Sequence, residues 1–303
     1  MKKFITLSVV FAFITLTLTV SLVGGIYLIQ SKVSFKLPEG KHILVLGNSR
    51  TEQSVDDRIF SRATNFSQGA EAYLYSYCKL RKFLAENEQV DTVLLSFRGR
   101  TVRLDDEQFF SKMYMADKIP HYLTLLERED IAVFSGEKAS FIYAVLQSPF
   151  LFFKEKIFNQ ASTIGAYFES HRNKLQVDIM RRNRKADRER DANISIYQKT
   201  YLLKIAELCK SKDVELILLN VPMYKPEVYG EKELSDDFHE AYMPDVKYMD
   251  YSSFPLPDSC YGDITHLNYR GARIFSQYLQ ERFSADVKEI GEGNRWVYGE
   301  PAE

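Results

Sequence analysis

Two short stretches of the chain carry side chains whose types suit nucleophilic chemistry, and Ser49 lies in the first of them. The stretch reads "KHILVLGNSRTEQSVD", and its apolar run breaks at Gly47. A serine hydroxyl is a weak nucleophile until a histidine takes its proton, and that histidine needs an acceptor to fix its tautomer. Taken alone, Ser49 is equally well explained as a turn residue.

The second stretch, "YGDITHLNYRGARIFSQYL", offers the two missing groups. His266 lies in a polar turn ahead of a helical pattern, and Asp263 precedes it by three residues. This spacing lets the carboxylate reach the ring nitrogen that does not face the serine. The alternative is that the polar residues of this turn, Asn268 among them, only cap the following helix.

Strand and helix patterns alternate along the chain and place both stretches. Short apolar runs predict strands at 42–47, 91–97, 214–222 and, less cleanly, 246–252; amphipathic patterns predict helices at 69–89, 197–212 and 268–283. This alternation predicts βαβ units, a central parallel sheet and a doubly wound α/β domain. Ligands of such sheets collect at the carboxyl ends of the strands, which is where Ser49 is expected.

The N-terminus predicts a membrane anchor. No charged residue occurs from Phe4 to Gln30, a run longer than a bilayer crossing requires and longer than the apolar part of a signal peptide. Lys2 and Lys3 favour a cytoplasmic N-terminus and hence an extracytoplasmic globular part on the cytoplasmic membrane. The predicted organisation is an anchor at 1–30, a linker at 31–40, an α/β domain at 41–290 and a tail at 291–303.

The stretch at about 100–194 breaks the alternation and predicts a mostly helical insertion. It contains "FIYAVLQSPFLFFKEKIF" at 141–158 and a basic run at 171–191. Two interpretations stay open. The insertion partly covers the site, with its aromatic residues facing substrate or membrane, or it is a helical layer with a solvated charged loop. The basic run could contact anionic lipids or an anionic polymer.

Composition excludes several classes of protein. The net charge of −1 gives no field that would attract nucleic acid. Cys78, Cys209 and Cys260 are too few and too far apart for a metal site of paired cysteines, and they allow one disulfide at most. No glycine-rich nucleotide motif follows a predicted strand. We therefore expect neither a metal nor a cofactor.

The motifs "LGNSR" and "DITHLN", in this order, resemble the first and last signature blocks of the SGNH/GDSL hydrolase superfamily. The resemblance covers roughly 41–100 and 195–285 and omits the insertion. It implies a flavodoxin-like three-layer α/β/α fold. The anchor and the continuation "HLNYRGA" look most like the envelope-associated branch, which includes alginate O-acetyltransferases and the D-alanyl transfer protein of teichoic acid synthesis.

The resemblance implies roles for individual residues. Ser49 would be the nucleophile, His266 the base and Asp263 the acid that orients it, with Gly69 as an oxyanion donor. The asparagine that the family carries after the third strand is missing from "SFRGR", so Arg98 would replace that donor or hold an anionic group. Arg50, beside the nucleophile, would bind substrate or anchor the turn.

These roles imply a serine esterase or O-acyltransferase that acts on an acylated envelope glycan or related polymer. A membrane acyltransferase is a possible partner. The alternative is a weakly active or inactive module that binds a glycan or such a partner.

Overall fold

The computed structural model describes residues 1–103, 106–157, 164–182, 193–229 and 231–284. The predicted tail at 291–303 lies outside these residues, as does part of the basic run, at 183–191.

A five-stranded parallel sheet forms the centre of the fold. Its strands are β1 (Ile43–Leu46), β2 (Ala63–Asn65), β3 (Thr92–Ser96), β4 (Glu215–Asn220) and β5 (Lys247–Asp250). They are ordered β2-β1-β3-β4-β5, which is the strand order of flavodoxin-like folds. The predicted α/β class with a central parallel sheet is confirmed.

The strand sequences explain why this sheet lies between two layers. Leu44 and Leu46 of β1 join one buried apolar cluster, whereas Ile43 and Val45 join another. Side chains alternate across a strand, so an uninterrupted apolar run feeds both faces at once. Both faces of the central strands are consequently covered, as the sequence of β1 requires.

Helices supply the covering layers. They are α1 (Lys2–Gln30), α2 (Ser49–Ser54), α3 (Tyr73–Glu86), α4 (Asp106–Phe109), α5 (Lys112–Tyr122), α6 (Arg128–Ala132), α7 (Lys138–Ile157), α8 (Leu175–Arg182), α9 (Ile196–Ser211), α10 (Glu231–Tyr242) and α11 (Tyr269–Arg282). Residues of α3, α5, α7 and α9 pack on one face of the sheet, and residues of α8 and α11 pack on the other.

The chain between β3 and β4 is mostly helical where it is described. It contributes α4 to α9, and α5 packs along α7. Within the described residues, α1 is the helix that is long and apolar enough to cross a membrane. Helix α1 also contacts α7. Length and composition alone support this span, and a signal sequence would meet the same test.

The three cysteines are buried thiols, so they form no disulfide.

Candidate active site

Ser49 stands at the turn between β1 and α2, at the carboxyl end of a central strand. Gly47 has a φ of 140°, and a Cβ built there would lie 2.1 Å from the Cβ of Ser96 on β3. Only glycine fits this approach of the two strands. Asn48 then caps α2, because its side chain accepts a hydrogen bond from the Arg50 N–H at 3.1 Å. The turn thereby presents Ser49 at the first position of a helix.

His266 lies directly opposite Ser49. The Ser49 Oγ is 2.8 Å from Nε2 of His266, across 217 positions of sequence. On the other side of the ring, Nδ1 is 2.8 Å from Oδ1 of Asp263. A carboxylate can only accept, so Nδ1 carries the proton in the neutral ring and Nε2 accepts from the serine hydroxyl. This is the geometry by which a base withdraws a proton from serine.

Asp263 is held as an ionised carboxylate. Burial would raise the pKa of Asp263, but hydrogen bonds and charge from His266, from Arg172 and from the Thr265 N–H outweigh it and lower the pKa below its ordinary value. The backbone N–H groups of Thr265 and His266 both donate to Oδ1, at 2.9 and 3.0 Å. A carboxylate with several donors keeps its charge and fixes the ring that it contacts.

Arg172 completes this arrangement from a distant part of the chain. Its Nη1 lies 2.5 Å from Oδ2 of Asp263, the oxygen on the opposite side of the carboxylate from Oδ1. The segment around it is tied to both halves of the site. The Phe168 N–H donates to the Glu52 carbonyl at 2.9 Å, and the Lys174 N–H donates to the Gly262 carbonyl at 2.7 Å.

Arg50, the residue after Ser49, connects α2 to the turn that carries His266. Its guanidinium is buried and donates to the Asn220 side chain at 2.8 Å and to the Val221 carbonyl at 2.5 Å. Its Nε donates to the Thr265 carbonyl at 3.4 Å. These contacts fix the helix of Ser49, the end of β4 and the turn of His266 relative to one another, which is the anchoring role considered for Arg50.

A cavity of about 250 Å³ opens over Ser49 and His266. One wall comes from the chain that follows β3. The lining residues of this wall are Arg98, Arg100, Thr101, Gln108, Phe109 and Tyr114. Arg98 thus lies at the site, where the sequence predicts it. The remaining residues of the wall were not singled out by any sequence motif.

Gly69 does not line this cavity, in contrast to its neighbours Ala70 and Glu71. The Glu52 carboxylate lies beside Gly69, 3.3 Å from where a Cβ of that residue would be. Burial raises the pKa of Glu52, and the neighbouring backbone of Gly69 works in the opposite direction. An acceptor oxygen is therefore close to the residue expected to hold an oxyanion.

Ala70 lines the cavity together with Glu71 and Ala72, and it has a φ of 54°. A residue other than glycine in this region carries strain of roughly 1–3 kcal/mol, and such strain persists where the surroundings impose it. The sequence signal in this loop is the glycine directly before Ala70, and the resemblance assigned the oxyanion donor to that glycine.

A buried ionic cluster supports this loop. Lys79 lies 2.5 Å from Oε2 of Glu71, and neither side chain is exposed. Ser76 and Tyr122 also donate to the Glu71 carboxylate, each at 2.5 Å. Lys118 donates to the Gly69 carbonyl at 2.6 Å. Residues from α3 and α5 thus fix the loop that carries Ala70.

The chain shows partial or distant similarity to known proteins. A protein-family model matches residues 168–288, less than half of the chain. No curated protein matches. Among solved structures, a proposed acylhydrolase from Bacteroides fragilis NCTC 9343 is 12% identical, with a TM-score of 0.36 over 84% of this chain and 91% of that one. A GDSL-like lipase from Bacteroides thetaiotaomicron VPI-5482 is also 12% identical, with a TM-score of 0.34 over 86% of this chain and 97% of that one. At this identity the likeness does not extend to activity or substrate.

Proposed function

We propose that the protein is a membrane-anchored serine esterase or O-acyltransferase of the SGNH type. The observation that carries this proposal is the chain of contacts from Ser49 through His266 to Asp263, with both ring nitrogens at 2.8 Å from their partners. These three residues act as nucleophile, base and orienting acid, and Ser49 and His266 line the cavity.

The reaction proceeds through an acyl-enzyme. Ser49 Oγ attacks the ester carbonyl while His266 Nε2 takes its proton, and the oxyanion that forms is held by N–H donors. The ester C–O bond then breaks, and His266 returns the proton to the leaving alcohol. Water that attacks the acyl-enzyme gives a hydrolase cycle, whereas a sugar hydroxyl gives a transferase cycle.

The oxyanion donors in this proposal are the Ser49 N–H and the loop at Ala70. Ser49 begins α2, where amide groups point out of the helix and the dipole favours negative charge. Ala70 takes the place expected of Gly69, because it lines the cavity and Gly69 does not. Arg98 lines the same cavity as a donor, or as the partner of an anionic group on the substrate.

The substrate class follows from the proposed location. Helix α1 anchors the chain in the cytoplasmic membrane, and the site lies on the extracytoplasmic side. An acylated envelope glycan or related polymer is the acyl carrier available there, and a membrane acyltransferase is the partner that would supply or receive the acyl group.

The test is activity of the full chain in detergent or vesicles. Ser49→Ala and His266→Ala should each abolish hydrolysis of p-nitrophenyl acetate, while Ser211→Ala, at an exposed serine of α9, should leave it unchanged. A fluorophosphonate probe should label Ser49 and no other serine of the protein. Equal hydrolysis by all four proteins would contradict the mechanism.

One observation favours a second function. An acceptor oxygen of Glu52 lies beside Gly69, the residue whose N–H the resemblance assigns to the oxyanion. An inactive module that binds a glycan or a membrane acyltransferase needs no oxyanion donor. It predicts no labelling of Ser49 by the fluorophosphonate probe, together with polymer binding that Ser49→Ala leaves intact.

A further inference from the structure

Helix α7 exposes a stripe of large apolar side chains. Ile142, Tyr143, Leu146, Phe150 and Phe153 are between 39% and 66% exposed. At 3.6 residues per turn these five positions fall within an arc of about 100°, so they form one continuous face. A helix at a water-covered surface carries polar residues on such a face.

The opposite face of α7 is the one that packs into the protein. Ala144 and Ser148 are buried, and Phe141 stacks on Phe134 with ring centroids 5.3 Å apart. Helix α5 lies along this side. Helix α7 therefore has two apolar faces: one packs against the core of the domain, and the other is the exposed stripe.

Helix α1 passes beside α7 and therefore determines where α7 lies along the membrane normal. The positions of α1 that the rest of the protein covers are Thr19, Val23, Ile26 and Gln30, which share one face in the C-terminal half of the helix. Helices α1 and α7 are in contact. The side chains of α1 before Thr19 are all exposed, as expected of a segment that lipid surrounds.

The length of α1 shows where this contact lies relative to a bilayer. Its 29 residues extend about 43 Å, whereas the hydrocarbon core is about 30 Å thick and takes about 20 residues. With Lys2 and Lys3 at the inner head groups, the hydrocarbon ends roughly at Val23. The covered face of α1 crosses this limit: Thr19 lies inside the hydrocarbon, and Ile26 and Gln30 lie beyond it among the head groups. Helix α7, which contacts α1, is thereby placed at the outer boundary of acyl chains and head groups.

We propose that α7 lies in this outer interface, with its exposed stripe among the lipids of the membrane that α1 crosses. The stripe and the lipid-facing side of α1 then form one continuous apolar surface. Lys112 on α5 lies 3.8 Å above the ring of Tyr143 at the edge of the stripe, a basic and aromatic pair of the kind found at membrane interfaces. An interfacial helix of this kind enters the boundary by about 5–10 Å.

This placement brings the cavity close to the membrane. Helix α5, which packs on α7, carries Tyr114 in the cavity wall. The proposal rests on the membrane anchor of the proposed function and is independent of the chemistry at Ser49.

The experiment uses the full chain reconstituted in vesicles of phosphatidylcholine and phosphatidylglycerol. Phe150→Cys and, separately, Leu146→Cys are labelled with an environment-sensitive fluorophore. The native cysteines are buried, and the unmodified chain gives the background of labelling. Glu281→Cys on α11, across the sheet from α7, is the matched exposed control, and Phe11→Cys reports on the anchor.

The labels at 150 and 146 should lose emission with a lipid that carries a nitroxide near its head group, and should resist quenching by aqueous iodide. The label at 281 should show the reverse. Iodide quenching of the labels at 150 and 146 equal to that of the label at 281 would overturn the proposal. Labels at 150 and 146 that neither iodide nor the lipid quenches would also overturn it, because a second copy of the protein would then cover the stripe. The label at 11 lies about 10 Å inside the hydrocarbon, so a second lipid with its nitroxide deep in the acyl chain tests it. Quenching at 11 by this lipid in either case leaves the anchor standing. No lipid quenching at 11 would overturn the anchor and this proposal together, while hydrolysis of p-nitrophenyl acetate tests Ser49 separately.

Discussion

The guanidinium of Arg172 lies 2.5 Å from Oδ2 of Asp263, whose Oδ1 faces His266 at 2.8 Å. The carboxylate therefore stands between a permanent cation and the imidazole. Asp263 is 10% exposed and Arg172 is 43% exposed, so solvent screens the arginine more than the aspartate. Arg172 contacts Asp263, and it acts on the imidazole and on Ser49 through this carboxylate.

Replacing Arg172 should reduce the amount by which the ionised carboxylate of Asp263 stabilises the folded protein. The pKa of Asp263 is lowered in the folded chain, so its charge stabilises the fold above about pH 4 and this contribution is lost as the pH falls towards the folded pKa. Arg172→Met moves the folded pKa back up and should reduce the free energy of unfolding at pH 7 by about 1 kcal/mol or less, because the guanidinium is half exposed.

Urea unfolding at pH 7 measures this effect in the wild-type background and in the Asp263→Asn background. Arg172→Met should cost its full amount beside the aspartate and much less in the Asp263→Asn background, and Arg172→Lys should recover part of the loss. An equal cost in both backgrounds would mean that Arg172 contributes packing and not charge.

Asp263→Asn tests the orientation of the imidazole. An amide can donate to Nδ1, so the neutral ring would carry its proton on Nε2 and could not accept from Ser49. A comparable substitution in a serine protease lowers kcat by about 10⁴-fold, and we expect a loss of about 10³–10⁴-fold in hydrolysis of p-nitrophenyl acetate. Asp178→Asn is the matched control, because Asp178 contacts the same turn at the Ile264 N–H and not at the ring. A loss below tenfold for Asp263→Asn would contradict the proposed mechanism.

The sequence predicted the elements whose patterns are strong and local. The runs around β1, β3 and β4 are apolar and β-branched, and each became a buried parallel strand. Strand β2 was not predicted because it spans only Ala63–Asn65 and two of its three residues are polar. Its place at the edge of the sheet depends on pairing with β1, which no local pattern encodes.

The candidate site was predictable to the extent that its motifs are contiguous. Ser49, Asp263 and His266 lie in two short segments, and the structure brings them together; their catalytic role stays a prediction. Arg172 comes from the stretch outside the family resemblance, so no motif pointed to it. The fold around the loop brings Glu52 beside Gly69, and the sequence could not reveal this.

The buried pair of Glu71 and Lys79 should be essential for the loop of Ala70. Burial lowers the pKa of Lys79, against the effect of the neighbouring Glu71 charge. Glu71→Gln leaves the ammonium group without its counter-ion and should reduce the free energy of unfolding by about 3–5 kcal/mol. Adding Lys79→Met to Glu71→Gln should recover part of that loss, because the unpaired ammonium group is then gone.

Thermal and urea unfolding measure both variants. Glu215→Gln is the matched control, since Glu215 pairs with Lys247 at 3.1 Å with both side chains about half exposed, and it should cost less than about 1 kcal/mol. Equal losses of unfolding free energy for Glu71→Gln and Glu215→Gln would show that the buried pair stabilises the protein no more than an exposed pair does.

Gly47→Ala tests the close approach of β1 and β3 that places Ser49. The new Cβ would lie 2.1 Å from the Cβ of Ser96, and the φ of 140° would be strained for alanine even in open space. Overpacking of this kind costs about 1–3 kcal/mol, and the backbone strain adds to it. Gly136→Ala, where a Cβ meets nothing within 4 Å, is the control and should not lower the unfolding midpoint. Hydrolysis by Gly47→Ala should fall by more than the loss of folded protein explains. The new Cβ forces β1 and β3 apart, and this movement carries Ser49 away from His266. A variant that kept both its unfolding midpoint and its activity would show that this turn does not set the position of the nucleophile.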